Sequence, residues 1–219
     1  MIIRMFLSFV AIVAAGAVAA APMEIKVGDS WTFEARNGYN KNLLATYRVE
    51  VTGVSDSGIA TRVTDDKSGT VTGEQFARNW DPISAEWPAL HAYEFSPEYP
   101  EYPDRLEPGV RWRGRTLARD TVTGRETKME TWGTVIGRER VRVPAGEFNA
   151  IKIGRDTMLD DAEFWRLGTR VVDYEWFVPE LGRAVKRETR SSFLESTGMH
   201  PVEHAGDWTV FELTAYKMN

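Results

Sequence analysis

"VVDYEWFVPELG", residues 171–182, carries a strand and its turn in twelve letters. Val172, Tyr174, Trp176 and Val178 alternate with Asp173, Glu175 and Phe177, the period of two that marks a strand with one apolar and one polar face. Pro179 and Gly182 then frame a four-residue hairpin turn, since proline presets φ and glycine accepts conformations closed to other residues.

The same pattern recurs outward along the chain. "ATYRVEVTG" (45–53) sets Tyr47, Val49 and Val51 against Arg48, Glu50 and Thr52, and "TVFELTAY" (209–216) sets Phe211, Leu213 and Ala215 against Val210, Glu212 and Tyr216. Turn signals separate such runs: "NGYN" (37–40), "SDSG" (55–58), "DDKSG" (65–69), "TVTGR" (121–125) and "PAGEF" (144–148). Short connections favour antiparallel neighbours. The expected fold is mainly β: a strongly curved antiparallel sheet of about nine or ten strands, an open half-barrel. "DPISAEWPALH" (81–91) and "DDAEFWRLG" (160–168) are expected as one or two short covering helices. "KVGDSWTF" (26–33) and "EPGVRWRG" (107–114) echo one another weakly, which suggests two halves, 26–95 and 107–219, inside one domain spanning 21–219.

Residues 1–20 have the parts of a secretory signal: Arg4, an apolar run from Phe6 to Val13, and small residues up to the expected cut. The apolar run is too short to span a bilayer. A soluble periplasmic protein with no stable membrane span after cleavage is expected. The chain of 219 residues has no cysteine, so it has neither disulfides nor thiolate metal ligands. Its formal net charge of −5 argues against nucleic acid or an anionic membrane as partner.

Candidate chemistry is sparse. His200, Glu203 and His204 spell H-x-x-E-H, a zinc-hydrolase spacing that requires both histidines on one helical face. Pro201 can sit only at a helix start, and Gly198 and Gly206 bracket the segment, so a polar loop before the last strand is the better reading. "GDSW" (28–31) offers Ser30 as a nucleophile, but no histidine stands three residues after an aspartate to serve it, and Ser30 reads as a strand entrance. Asp65-Asp66 and Asp160-Asp161 would point to opposite faces of a strand. No phosphate loop, dinucleotide pattern or calcium loop is present. Neither a catalytic set nor a cofactor or metal site is expected.

Aromatics are abundant, with 8 Trp, 10 Phe and 7 Tyr. On the concave side of a curved sheet Trp112, Trp132, Tyr174, Trp176 and Phe211 would form a groove for an apolar ligand. A second candidate surface is "SPEYPEYPDRLEPG" (96–109), whose proline at every third residue suits a polyproline II strip. Tyr99 and Tyr102 would share one side, and Glu98, Glu101 and Asp104 another. It is either a crossing loop packed on the sheet or a strip that a partner protein grips.

Three landmarks carry a family resemblance. "GRERVRVPAGEFNAIKI" (137–153), "YEWFVPELGRAVKRE" (174–188) and "FELTAY" (211–216) are similar to segments of an exported, largely uncharacterised bacterial group, the VPAGxF or TapB-like family, more loosely related to lipoprotein-carrier half-barrels. The match runs mainly over 107–216, with "VGDSWTF" (27–33) as an earlier anchor. It implies a fold and no catalytic residues; Glu139, Pro144, Gly146, Pro179 and Gly182 are its structural marks. Together these features lead to the expectation of a non-enzymatic periplasmic carrier for an apolar small molecule or polypeptide segment. An envelope interaction module using sheet edges or the 96–109 loop is the alternative, and a metal-dependent hydrolase a further one.

Overall fold

A computed structural model describes residues 24–86, 92–160, 166–196 and 200–219; the signal segment lies outside them. Twelve strands follow in order: β1 (Ser30–Asn37), β2 (Leu43–Ser55), β3 (Gly58–Asp65), β4 (Val71–Phe76), β5 (Pro82–Glu86), β6 (Ala92–Ser96), β7 (Arg111–Asp120), β8 (Glu126–Val143), β9 (Gly146–Leu159), β10 (Arg166–Val178), β11 (Arg183–Glu195) and β12 (Val202–Lys217). Each pairs antiparallel with the next, and β12 returns to pair with β1, which closes the barrel.

The closed barrel replaces the open half-barrel of nine or ten strands expected from the sequence. Closure rests on β1, whose two sides are both engaged: Phe33 stands opposite Tyr47 of β2 and opposite Leu213 of β12. A closed sheet has no edge to protect. The strand count rises because β4, β5 and β6 are only five or six residues long. Residues 82–86, expected in a helical cover, form β5 instead, held to β4 by just two residue pairs. The rest of that expected cover (87–91) and the core of the other (161–165) lie outside the described residues; of the latter's flanks, Asp160 follows β9 and 166–168 open β10. Among the described residues no helix is long and apolar enough to cross a membrane.

Turn chemistry behaves as the sequence dictates. A one-turn 3₁₀ helix at Pro179–Leu181 ends on Gly182 at φ 56°, and Gly146 opens β9 at φ 143°. Apolar packing is heaviest at the barrel end beside this turn, where Trp31, Val51, Trp80, Val178, Leu181 and Leu213 form one cluster. A second cluster, Tyr93, Phe95, Tyr99, Met129, Leu159 and Val171, fills the lumen along β6–β10.

Candidate functional site

The strand that decides the fold also builds the site, with its faces reversed from Val172 to Glu175; Trp176 and Val178, where the register shifts, are buried as expected. In β10 the acidic pair points inward: Asp173 and Glu175 are 1% and 2% exposed, whereas Tyr174 between them is 39% exposed. Alternation separates two faces without saying which is inside. Here cross-strand cations decide it, since Asp173 stands opposite Arg155 of β9 and Glu175 opposite Arg187 of β11.

The third component comes from the proline-tyrosine segment between β6 and β7. It folds into the lumen. Its backbone is fixed at several points: Tyr99 N–H donates to the Pro82 carbonyl (2.9 Å), and Glu101 and Tyr102 N–H donate to Asp81 Oδ1 (2.9 and 3.2 Å). The Trp112 indole N–H donates to the Pro100 carbonyl (3.0 Å). Gly114 and Gly133 make room for it: a Cβ on Gly114 would meet Pro100 at 2.4 Å, and one on Gly133 would meet the Trp112 ring at 2.1 Å. The Tyr99 hydroxyl bonds Thr157 Oγ1 at 2.9 Å, and the Tyr102 hydroxyl donates to Glu175. Glu101, expected on the side away from the tyrosines, is buried like Tyr99, with Tyr102 half-buried beside it.

These segments assemble an ion cluster inside the barrel. Arg155, with no exposed side-chain surface, donates through Nε to Asp173 Oδ2 (2.9 Å) and through Nη1 to the Glu101 carbonyl (2.9 Å). Its Nη2 contacts Asp173, Glu175 and Glu101 Oε1, the last at 2.9 Å. Arg187 donates through Nε to Asp173 Oδ1 (2.7 Å) and lies 3.2 Å from Glu101 Oε1 through Nη1; Thr189 adds a hydroxyl to Asp173 at 2.8 Å. Three carboxylates thus share two guanidinium groups. Burial raises all three acids, and the arginines answer unequally. Arg187 and Arg155 outweigh it at Asp173, drawing that group down to about 2, and Glu175 also ends below its ordinary value. At Glu101 burial wins, helped by its acidic neighbours, and its pKa stands at about 7. The three carboxylates lie close enough to hold a metal ion, but the Arg155 guanidinium stands where that cation would sit.

Beside the cluster lies a cavity of about 370 Å³. Its apolar wall includes Phe33, Tyr47, Val49, Val63, Phe76 and Phe211; its polar lining includes Glu74, Glu101, Glu175, Arg183, Lys186 and Arg187. The cavity occupies the β1–β5 side and the adjoining part of β11 and β12, and Glu101 and Tyr102 of the folded-in segment close it on the remaining side with Glu175.

Of the five residues expected in an apolar groove, Phe211 lines this cavity. Trp112 lies beneath the folded-in segment against the Val135, Ile151 and Ile153 cluster. Trp132 and Tyr174 are on the outer face, 40% and 39% exposed, with Arg113 over the Trp132 ring. Trp176 is buried among Lys152, Lys186 and Glu139, its indole N–H bonded to Glu139. Tyr99 and Tyr102 are inside the barrel. Glu203 and His204 are consecutive residues of β12 and so face opposite ways; His204 stacks on Phe193 and its Nε2 lies 2.6 Å from Glu195. Ser30 opens β1. Sequence reasoning missed Arg155, Asp173, Glu175 and Arg187; the available signal was the opposed charge at facing positions of consecutive strands.

No family model matches the chain, and no curated protein matches it in sequence. Among solved structures, a candidate lipoprotein from Parabacteroides distasonis ATCC 8503 aligns at 15% identity and a TM-score of 0.52, over 88% of this chain and 96% of that one. A candidate exported protein with YmcC-like fold from Bacteroides fragilis NCTC 9343 aligns at 14% identity and a TM-score of 0.54, over 88% and 97% respectively. At these identities the likeness is one of fold, and the chain adopts this YmcC-like architecture.

Proposed function

We propose that the chain is a non-enzymatic binding protein of the periplasm that holds a small, largely apolar molecule inside its barrel. The observation that carries this reading is the cavity of about 370 Å³, walled by aromatic and aliphatic side chains with charged ones set among them from β4, β10 and β11. That size and lining are typical of small-ligand pockets and favour a small molecule over a polypeptide segment. The ionic groups beside the cavity are engaged with one another, as structural clusters are, and Glu203 and His204 of the H-x-x-E-H motif sit on a strand instead of a helix, with His200 before it. Location rests on the signal pattern of residues 1–20 and on the VPAGxF resemblance; structural neighbours described as a lipoprotein and an exported protein are in keeping with it.

Native mass spectrometry of protein isolated from its host tests the reading. The expected spectrum shows an adduct of a few hundred daltons that denaturation releases. Ala85→Trp, which places an indole in the cavity wall, should lose the adduct while keeping the melting transition. A wild-type protein that is consistently empty would refute the proposal.

A further inference from the structure

The cavity has spent its charge but not its hydrogen-bonding capacity. Glu101 and Glu175 face Arg155 and Arg187. Glu74, 8% exposed, feels the Arg183 charge as its main compensation, and Lys186 bonds Glu188 and Glu212 at 3.3 and 3.2 Å. Each of these lining charges has a counter-charge, and Glu86, the remaining lining carboxylate, is exposed to solvent. A ligand bringing a net charge of its own would lose hydration and find no unspent opposite charge in return.

Donors and acceptors are another matter. The Arg183 side chain makes no hydrogen bond or ion pair among the described residues; its guanidinium rests over Trp80 (4.4 Å), Phe76 (5.5 Å) and Trp31 (5.6 Å). Ring faces hold the cation in place and leave its N–H groups unused. Glu101 Oε2 and Arg187 Nη2 are buried without a partner among the described residues, and both residues line the cavity. Buried polar groups of this kind are normally satisfied.

Resting on the small-ligand reading above, we propose that the occupant is a neutral amphiphile: an apolar body ending in an uncharged amide or hydroxyl head. Such a head gives a carbonyl or hydroxyl oxygen to guanidinium N–H groups and an N–H or O–H to a carboxylate oxygen, and adds no charge. An ammonium head serves Glu101 but meets Arg183 and Arg187. A carboxylate head serves the arginines but meets Glu74 and Glu101. The apolar body packs on Phe33, Tyr47, Val63 and Phe211.

Isothermal titration of the purified protein with octanamide, octylamine and octanoate tests this, because the three share a tail and differ in the head. Octanamide is expected to bind at least about tenfold more tightly than either charged probe. Arg183→Met, which keeps the stem over the rings and removes the donors, should weaken octanamide about tenfold and change the charged probes little. Preference for a charged probe, or equal affinity for all three, overturns the head-group inference and leaves the small-ligand reading standing. No binding by any probe overturns both.

Discussion

The two sides of the lumen are furnished in opposite ways. Along β7–β10 the interior is packed by a segment of the chain itself: Tyr99, Glu101 and Tyr102 lie against Thr157, Arg155 and Glu175, and glycines on the wall make room for it. Along β1–β5 the wall side chains face a space that nothing in the described chain occupies. About eight strands make a barrel whose lumen side chains alone can fill; twelve make a wider one. The protein fills part of that excess with the β6–β7 connection, anchored by buried ions, and leaves the cavity beside it. Filling and vacancy thus have different physical bases, and mutations should separate them.

The largest effect is expected on the filled side. Arg155→Met removes the cation that three buried carboxylates share and leaves Arg187 to compensate them alone. Breaking a buried ionic group in this way typically costs about 3–5 kcal/mol. Urea unfolding followed by tryptophan fluorescence measures it. A loss below about 1 kcal/mol would show that the segment is held by its backbone contacts and not by the cluster.

A pair of added carbons probes the contrast directly. Gly133→Ala puts a methyl where the Trp112 ring lies, on the filled side, and should cost about 1–3 kcal/mol through overpacking. Ala85→Val adds volume at the cavity wall, where space is available, and should change stability by less than about 1 kcal/mol. Equal costs at the two positions would mean that the cavity closes in solution.

How much of this was legible in the sequence follows from what alternation can encode. The strands around Tyr47, Phe211 and Trp176 and the turn at Pro179–Gly182 were readable, because period and turn chemistry are local. The face that β10 turns inward was not. Val172 and Tyr174 carry more apolar surface than Asp173 and Glu175, and with no partners in view their burial is the cheaper choice. The register of the hairpin held the correction: Glu175 faces Arg187. Asp173 likewise faces Arg155 across β9. Closure was hidden for a different reason, since β5 has five residues and begins with proline. The segment around Tyr99 showed its repeat plainly, but its entry into the lumen depends on Asp81 and Gly114, residues distant in sequence and unremarkable alone.

The smallest expected effect is the most diagnostic of how the filled side is balanced. Glu101→Gln keeps the shape of the folded-in segment and leaves two carboxylates with two guanidinium groups. Burial holds the folded-state pKa of Glu101 near 7, above its ordinary value of 4.5, so its contribution to stability is complete below about 4.5 and is lost as pH rises through about 7. Asp173 has the opposite sign: held near 2 against an ordinary 3.8, it stabilises above about 3.8 and ceases to do so as pH falls toward 2. From pH 5 to 8, then, Asp173 is constant and Glu101 varies. The wild-type melting temperature should fall by several degrees over that interval, and that of Glu101→Gln should fall less, so that at pH 8 the variant melts at or above the wild type. Parallel curves for the two proteins would place the third charge of the cluster on another residue. A variant that melts well below the wild type at pH 8 would mean that the ionised carboxylate, despite its burial, helps to hold the segment in the barrel.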